Sequence, residues 1–523
     1  MRTIVHFYFI TKCMLIISAK RRDSGGSIVI ELYIENLLNY GETHGLFERS
    51  DRIYIRNEFI DVLSLDDFCL PASVAELGLT EILSKLLDYA IEKGIIENTI
   101  TQRDLFDTKL MGLMTPRPSA VINKFWSEFS ISPERATDYY YDFSMATNYI
   151  RTDRIKNDLK WTTDTEYGTL DVSINLSKPE KDPNDIAAEK TAPAKGYPKC
   201  ALCIENEGYH GSIYQAARQN HRIIPITLNR ETWYFQYSPY VYYNEHCIVI
   251  EKDHHPMKTT KETFIQMFDF VELFPHYFIG ANADIPIVGG SILSHNHFQG
   301  GRCQFPMMRA KIKRTFSIVG FNEVSVGILN WPVTTLRLIG ENRDSMIDLA
   351  NHIFNKWLSF SCEPAGIFAF TNGERHNAVT PILRKEGNCF ILDLALRNNI
   401  TSEERPLGVF HPRPNFHHIK KENIGLIEVM GLAILPARLK SELEAVKDSL
   451  LSGKKLSENS FISKHRLWAE EIERKHTHID EENVDDILKN EVGLVFKQVL
   501  EDTGVFKPDE MGYKNLTDFI STL

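Results

Sequence analysis

Cysteine is scarce in this chain. Eight in 523 residues are too few to staple a fold of this length, which excludes a disulfide scaffold and favours a reduced, cytoplasmic setting. An excess of positive charge is missing too. The formal net charge is -11, whereas a nucleic-acid-binding face needs clustered Lys and Arg, so no nucleic-acid partner is expected. A local site for an anionic small molecule remains compatible with that sum. Long apolar runs are also absent. Met1 to Ile17 is broken by Lys12, and its basic run (Lys20, Arg21, Arg22) follows the apolar stretch instead of preceding it. That order is wrong for a secretory signal, and the stretch is too short for a membrane span. Residues 1–28 are therefore read as a non-native or disordered extension, with the natural chain expected to start near Val29. No membrane partner is expected.

What is present is an ordinary globular composition, 43% hydrophobic and 25% charged, long enough for two or three structural units. Residues 30 to about 150 read as mostly helical, with amphipathic spacing over Leu77 to Ile96 and Pro116 to Ser130. Ser177 to Lys199 is rich in Lys, Pro, Asp and Ala and reads as an exposed linker. Strand-like runs follow at Trp233–Tyr237, Cys247–Ile250, Tyr277–Gly280 and Phe298–Phe305, with a helix near Glu262–Phe274. A second block carries a helix at Ser345–Phe360 and strands near Gly366–Thr371 and Cys389–Leu396. From Lys420 onward the pattern is helical, including an apolar helix from about Glu422 to Leu435. The expected class is α+β, with helical ends around two sheet-bearing blocks.

The chemistry concentrates in Gly289-Gly-Ser-Ile-Leu-Ser-His-Asn-His-Phe-Gln-Gly-Gly301. His295, His297 and Gln299 recur with a period of two, so an extended segment turns all three to one face. A neutral imidazole is a competent nucleophile toward phosphorus near neutral pH. The Gln299 amide can hold charge on a phosphoryl oxygen. A third histidine at that position could protonate a poor leaving group and help water attack; glutamine does neither. The pattern therefore suits transfer between phosphates better than hydrolysis. Separately, Cys200-Ala-Leu-Cys203 has the spacing of half a tetrahedral metal site, with a structural cysteine pair or a redox motif as alternatives.

These residues resemble the galactose-1-phosphate uridylyltransferase family, in its second sequence class, a branch of the histidine-triad superfamily. The resemblance runs from about Leu38 almost to the C-terminus. It rests also on Phe106-Asp-Thr-Lys-Leu-Met-Gly-Leu-Met-Thr-Pro-Arg-Pro118, Tyr197-Pro-Lys-Cys-Ala-Leu-Cys-Ile-Glu-Asn-Glu-Gly-Tyr209, Ala217-Arg-Gln-Asn-His-Arg222 and His417-His-Ile-Lys-Lys-Glu-Asn-Ile-Gly-Leu-Ile-Glu-Val-Met-Gly431. It implies transfer of UMP from UDP-glucose to galactose 1-phosphate by a ping-pong route, with His297 as the uridylylated nucleophile, Gln299 beside it and His295 in support. It implies metal ligation, with zinc as the candidate ion, by Cys200, Cys203, His254 and His295, and His254 is preferred to His255. No organic cofactor is expected. Arg218, Asn220, Arg222, Asp284 and Arg302 are the candidate substrate-binding residues; Asp284 stands where the first class has an asparagine, and Ile292 where it has a serine. Polar runs at Asn372–Asn377, Arg384, Arg397–Asn399 and His411–Arg413 are candidates for the hexose or its phosphate. His417 and His418 are given no role.

The resemblance also divides the chain. Residues 29–190 would be a mainly helical region and 191–330 a histidine-triad-like antiparallel block with the uridylyl site. Residues 331–440 would be a second such block on the sugar-phosphate side, and 441–523 a helical end. The expected partners are UDP-glucose, UDP-galactose and hexose 1-phosphates, with a homodimer as the assembly. The competing readings are a histidine-triad hydrolase or phosphorylase acting on dinucleotides and, from another class, a zinc-stabilised binding module without catalysis.

Overall fold

The computed structural model describes residues 30–523 except 74–75, 177–195, 291, 455 and 457–460. The expected extension over 1–28 and most of the expected linker lie outside the described residues. The chain separates into two compact units, dividing between Thr115 and Pro116.

Among the described residues, four α-helices build the first unit: α1 (Ile30–Thr43), α2 (Arg52–Val62), α3 (Leu79–Glu92) and α4 (Ile100–Met114). Their apolar stripes have helical period. Ile30, Ile34, Leu37 and Leu38 are buried on α1, and Ile82, Leu83, Leu86, Leu87 and Ala90 on α3, so each helix owes its stability to one packed face. Thr99 caps α4 by accepting from the Gln102 N–H, as a helix start requires. The buried Glu35 carboxylate lies between Arg52 and Arg56, at 2.7 and 2.5 Å.

In the second unit, α5 (Pro118–Phe129) and α6 (Pro133–Ala146) each begin with proline in the first turn, where the missing N–H costs nothing. A hairpin follows, β1 (Leu159–Thr165) and β2 (Gly168–Ile174). The main structure is a ten-stranded antiparallel sheet built from β3 (Ile224–Leu228), β4 (Glu231–Tyr237), β5 (Cys247–Glu251), β6 (Phe278–Gly280), β7 (His297–Gly301), β8 (Ile312–Phe316), β9 (Ser325–Leu329), β10 (Thr335–Gly340), β13 (Asn377–Glu386) and β14 (Cys389–Asn398). Between β10 and β13 in sequence lies a two-residue hairpin, β11 (Phe370–Thr371) and β12 (Glu374–Arg375). The sheet order is β3-β4-β5-β7-β6-β13-β14-β10-β9-β8. The two expected sheet-bearing blocks are thus halves of one continuous sheet, joined where Gly280 pairs with Ile382. Helices α7 (Lys261–Leu273) and α8 (Arg343–Ser359) pack on the sheet. Under α7 the strand aromatics Trp233, Phe235 and Phe298 are buried, with Trp233 stacked on Phe298 at 5.0 Å. This leaves the opposite face of β7 to the site.

The C-terminal region corrects one sequence expectation. The apolar run read as a helix to Leu435 gives only a single turn, Leu426–Val429, and then β15 (Leu432–Leu435), which pairs in parallel with β2. Gly431 breaks it. Its φ is +99°, and a Cβ there would lie 2.8 Å from Pro306. A short apolar run does not distinguish strand from helix by its period; the partner strand decided it. Likewise the run expected to be extended to Phe305 leaves the sheet at Gly301 and turns into a short helix, Pro306–Arg309. Over Gly366–Thr371 only Phe370 and Thr371 are strand. The helices α9 (Arg438–Ser452), α10 (Arg466–Lys475), α11 (Val484–Thr503) and α12 (Glu510–Ile520) complete the chain. Among the described residues no helix is long and apolar enough to cross a membrane.

One buried ion cluster organises the far half of the sheet. Asp393, wholly inaccessible, takes both Arg337 (2.6 and 2.8 Å) and Arg384 (3.1 Å). Asp393→Ala should cost about 3–5 kcal/mol, because it strands two buried guanidinium groups. Glu386→Ala, which removes only the exposed partner of Arg384, should cost less than about 1 kcal/mol. Denaturant unfolding of both variants checks this, and equal losses would contradict it.

Candidate active site

Strand β7 lies between β5 and β6, with His297 opposite Ile250 and Gln299 opposite Ile248 and Gly280. Glycine makes that close packing possible. A Cβ on Gly300 would meet the Phe278 carbonyl oxygen at 2.5 Å, and one on Gly289 the Ala283 oxygen at 2.4 Å. The regular strand starts at His297, so the alternation is realised at His297 and Gln299, and His295 sits just ahead of it.

His297 is buried, 6% exposed. Its Nδ1 lies 2.8 Å from the His295 carbonyl oxygen. A carbonyl can only accept, so Nδ1 carries the proton and Nε2 keeps its lone pair. Burial, seconded by the His295 charge, pulls the His297 pKa to about 4 against the opposing effect of that backbone bond, so the ring is neutral at neutral pH. Beside it, Gln299 Oε1 is 3.2 Å from Nε2 of the buried His246.

The cysteine loop is held by Asn206, whose amide donates to the carbonyls of Cys200 (2.9 Å) and Cys203 (2.8 Å). It brings Cys200 Sγ to 3.5 Å from Cys203 Sγ and 3.3 Å from His295 Nδ1. Cys203 Sγ lies 3.2 Å from His254 Nδ1 and 3.8 Å from His295 Nδ1. All four ligand atoms lie within 4.8 Å of one another. Zinc bonds of about 2.3 Å to sulfur and about 2.0–2.1 Å to nitrogen imply separations of about 3.5–3.8 Å in a tetrahedron. The cluster can therefore hold a metal ion. His254 is selected over His255, whose ring pairs instead with Glu251 at 3.0 Å. His295 Nε2 donates to the Glu251 carbonyl at 2.9 Å, which turns Nδ1 to the sulfurs, the usual arrangement of a ligating histidine. Burial raises the Cys200 pKa, but hydrogen bonds from His295 and the Leu202 N–H outweigh it and the net shift is downward. Cys203, buried and beside the Cys200 sulfur, is pushed up to about 11.

The other expected site residues divide by what they touch. Arg218 lies against the Tyr149 ring at 5.5 Å and is half-buried. Asn220 donates to the Thr147 carbonyl. Arg222 gives its guanidinium to the carbonyls of Pro116, Gln219 and His221. Asp284 accepts from the Thr259 N–H and pairs with Arg375 at 2.8 Å. Arg302 pairs with Asp138 at 2.7 Å and Glu245 at 3.2 Å. In the second half-sheet, Arg384 joins the Asp393 cluster, Arg397 donates to the Ile424 carbonyl and Asn377 to the Trp357 carbonyl. Two features had no counterpart in the sequence reading. His246 contacts Gln299. His221, quoted there only within the run Ala217 to Arg222, is buried, stacks on Tyr149 at 4.0 Å and reaches Gln236 Oε1 at 2.7 Å. Burial takes the His221 pKa down to about 3. The signal for both was the alternation of β4 and β5, usable only once their register with β7 is known.

Comparison with known proteins identifies the family. The family model described as galactose-1-phosphate uridyl transferase, N-terminal domain, matches residues 45–256, and its C-terminal counterpart matches 270–470. The chain belongs to the galactose-1-phosphate uridylyltransferase family. A galactose-1-phosphate uridylyltransferase of Clostridium acetobutylicum is 50% identical over 492 residues, 94% of this chain and 99% of that protein. One from Bacillus subtilis is 47% identical over 499 residues, 94% and 97% respectively. A solved structure, yeast Ap4A phosphorylase, aligns at TM-score 0.34 and 12% identity over 60% of this chain and 90% of its own, too loosely to add to the argument.

The glycine packing of β7 gives a direct prediction. Gly300→Ala forces a methyl group into the Phe278 carbonyl and should cost about 1–3 kcal/mol together with most of the transferase activity. An alanine variant with the wild-type melting temperature and turnover would contradict the stated role of this glycine.

Proposed function

We propose that this chain transfers UMP from UDP-glucose to galactose 1-phosphate, with the UMP carried in between on His297 Nε2. The observation that carries this reading is the bare Nε2 of a buried, neutral histidine whose Nδ1–H is spent on the His295 carbonyl. In the first half-reaction Nε2 attacks the α-phosphorus of UDP-glucose, the bond from that phosphorus to the bridging oxygen breaks, and glucose 1-phosphate departs with the electron pair. In the second, a phosphate oxygen of galactose 1-phosphate attacks the same phosphorus, the P–N bond breaks and UDP-galactose forms. Both leaving group and acceptor are phosphates, so no proton has to be delivered. A glutamine, which offers N–H groups but no acid, suits that requirement.

Cys200, Cys203, His254 and His295 are the residues that would hold a zinc ion, which when bound supplies a rigid tetrahedral anchor for the loop and for His295. Arg218, whose guanidinium makes one hydrogen bond among the described residues, to the Ala217 carbonyl, is the strongest candidate for a phosphate contact. Asn220, Arg222, Asp284 and Arg302, engaged with protein groups, act as the frame that holds the site. The half-sheet β3–β7 carries the nucleotide, and the half beyond β13 bounds the sugar-phosphate side.

Two measurements test this reading. The wild-type enzyme should exchange labelled glucose 1-phosphate into UDP-glucose with no galactose 1-phosphate present, and His297→Ala should lose that exchange by at least about 10⁴-fold while folding normally. Exchange surviving in the variant would sink the assignment. Protein purified without chelators should contain one zinc per chain. Cys203→Ser should lose the ion and Cys389→Ser retain it, and a metal-free wild-type enzyme of full stability would contradict the anchor.

A further inference from the structure

We propose that His246 is a positioning residue for this reaction, holding the Gln299 side chain so that its NH₂ group, and not its carbonyl oxygen, faces the phosphoryl group on His297. The proposal rests on the uridylyl-histidine reading above. An amide at the end of a flexible side chain has two orientations related by a half-turn, and they present opposite charge to a phosphoryl oxygen. One stabilises the charge that builds in the transition state; the other opposes it. Something must choose between them, and the chooser touches Gln299 and not the substrate.

His246 has the geometry to choose. It is 2% exposed, and its Nε2 is 3.2 Å from Gln299 Oε1. Its Nδ1 is buried and has no partner among the described residues. Were the proton on Nδ1, a buried N–H would be orphaned, whereas a bare acceptor nitrogen costs less. The proton therefore belongs on Nε2, where it is donated to Oε1. That bond fixes the oxygen toward His246 and turns the NH₂ group away from it. Burial holds the His246 pKa down at about 4, which keeps the ring in this single neutral form.

The ring itself is braced. Tyr243 packs on it at 4.5 Å and Tyr242 at 5.5 Å, and the Tyr243 hydroxyl donates to the Gly300 carbonyl at 3.1 Å, one residue beyond Gln299. The same construction recurs in the same row of the sheet. Gln236 pairs with Ile248, which pairs with Gln299, and Gln236 Oε1 accepts from Nε2 of His221, whose Nδ1 is likewise buried without a partner among the described residues. Two glutamines on one face are each held by a buried neutral histidine.

Histidine is replaced in the full-length enzyme by two residues of similar size, one with an N–H donor (His246→Asn) and one without (His246→Leu). Each is made in the wild-type and Gln299→Ala backgrounds, and the rate of glucose 1-phosphate release from UDP-glucose is followed in a single turnover. His246→Leu should slow release about 10–100-fold with little change in KM, reaching at most the lower end of the roughly 10²–10³-fold loss that follows outright removal of a charge-stabilising donor. His246→Asn should recover most of that rate. In the Gln299→Ala background His246→Leu should change the rate by less than about 2-fold. Equal losses in both backgrounds, or a wild-type rate for His246→Leu, overturn the proposal. A reading that needs no variant comes from the ¹⁵N shifts of the His246 ring in the wild-type enzyme: a proton on Nε2 supports the proposal and a proton on Nδ1 overturns it. Should the wild-type enzyme release no glucose 1-phosphate at all, it is the uridylyl reading that fails, and the ring proton still decides the orientation of Gln299.

Discussion

The hydrogen bond from His297 Nδ1 to the His295 carbonyl, 2.8 Å long, is the interaction on which the site depends. It sets the tautomer, and the tautomer decides which nitrogen can attack. The acceptor is a backbone atom, so its position is only as good as that of the chain at His295. That chain is fixed from two sides: the His295 ring donates to the Glu251 carbonyl, and its Nδ1 faces the sulfurs of Cys200 and Cys203. A metal in this cluster would thus act on His297 at one remove, by holding the residue that holds it. The arrangement separates duties that could have competed: His295 Nδ1 faces the sulfurs, and on the proposed reading His297 Nε2 is left for the substrate.

The sheet supplies the rest of the rigidity. β7 is an interior strand with partners on both sides, and the face beneath it is filled by Trp233, Phe235 and Phe298 under α7. Fusing two half-sheets at Gly280 and Ile382 makes β6, and through it β7, central in a ten-stranded layer. A site on an interior strand loses no order to edge fraying and pays for that with crowding, which is why glycine recurs around it.

Much of the candidate site was legible in the sequence for a physical reason. His297, Gln299 and His295 lie within five residues, and Cys200 and Cys203 are at chelating spacing, so their juxtaposition needs no knowledge of the fold. His254 could be singled out by the resemblance and is the histidine the cluster takes. The candidate phosphate-binding residues were harder to read, because an arginine in sequence does not reveal its partner. Arg222 meets backbone carbonyls, Arg302 meets Asp138 and Glu245, and Asp284 meets Arg375. His246 was invisible because its relation to Gln299 passes through the register of β5 against β7, a non-local quantity. The same limit explains β15. Leu432 to Leu435 could continue a helix by pattern, and only the presence of β2 beside it makes it a strand. The joining of the two blocks into one sheet is likewise a matter of pairing between segments about a hundred residues apart.

The central claim is that His297 Nε2 becomes covalently attached to UMP. Its most direct test is to mix stoichiometric UDP-glucose with the enzyme in the absence of any acceptor, quench, and map the modified peptide by mass spectrometry. The account predicts one glucose 1-phosphate released per active chain and UMP bound through nitrogen on His297 alone, in an acid-labile linkage. Steady release of free UMP with no modified peptide, or UMP located on another residue, would contradict it.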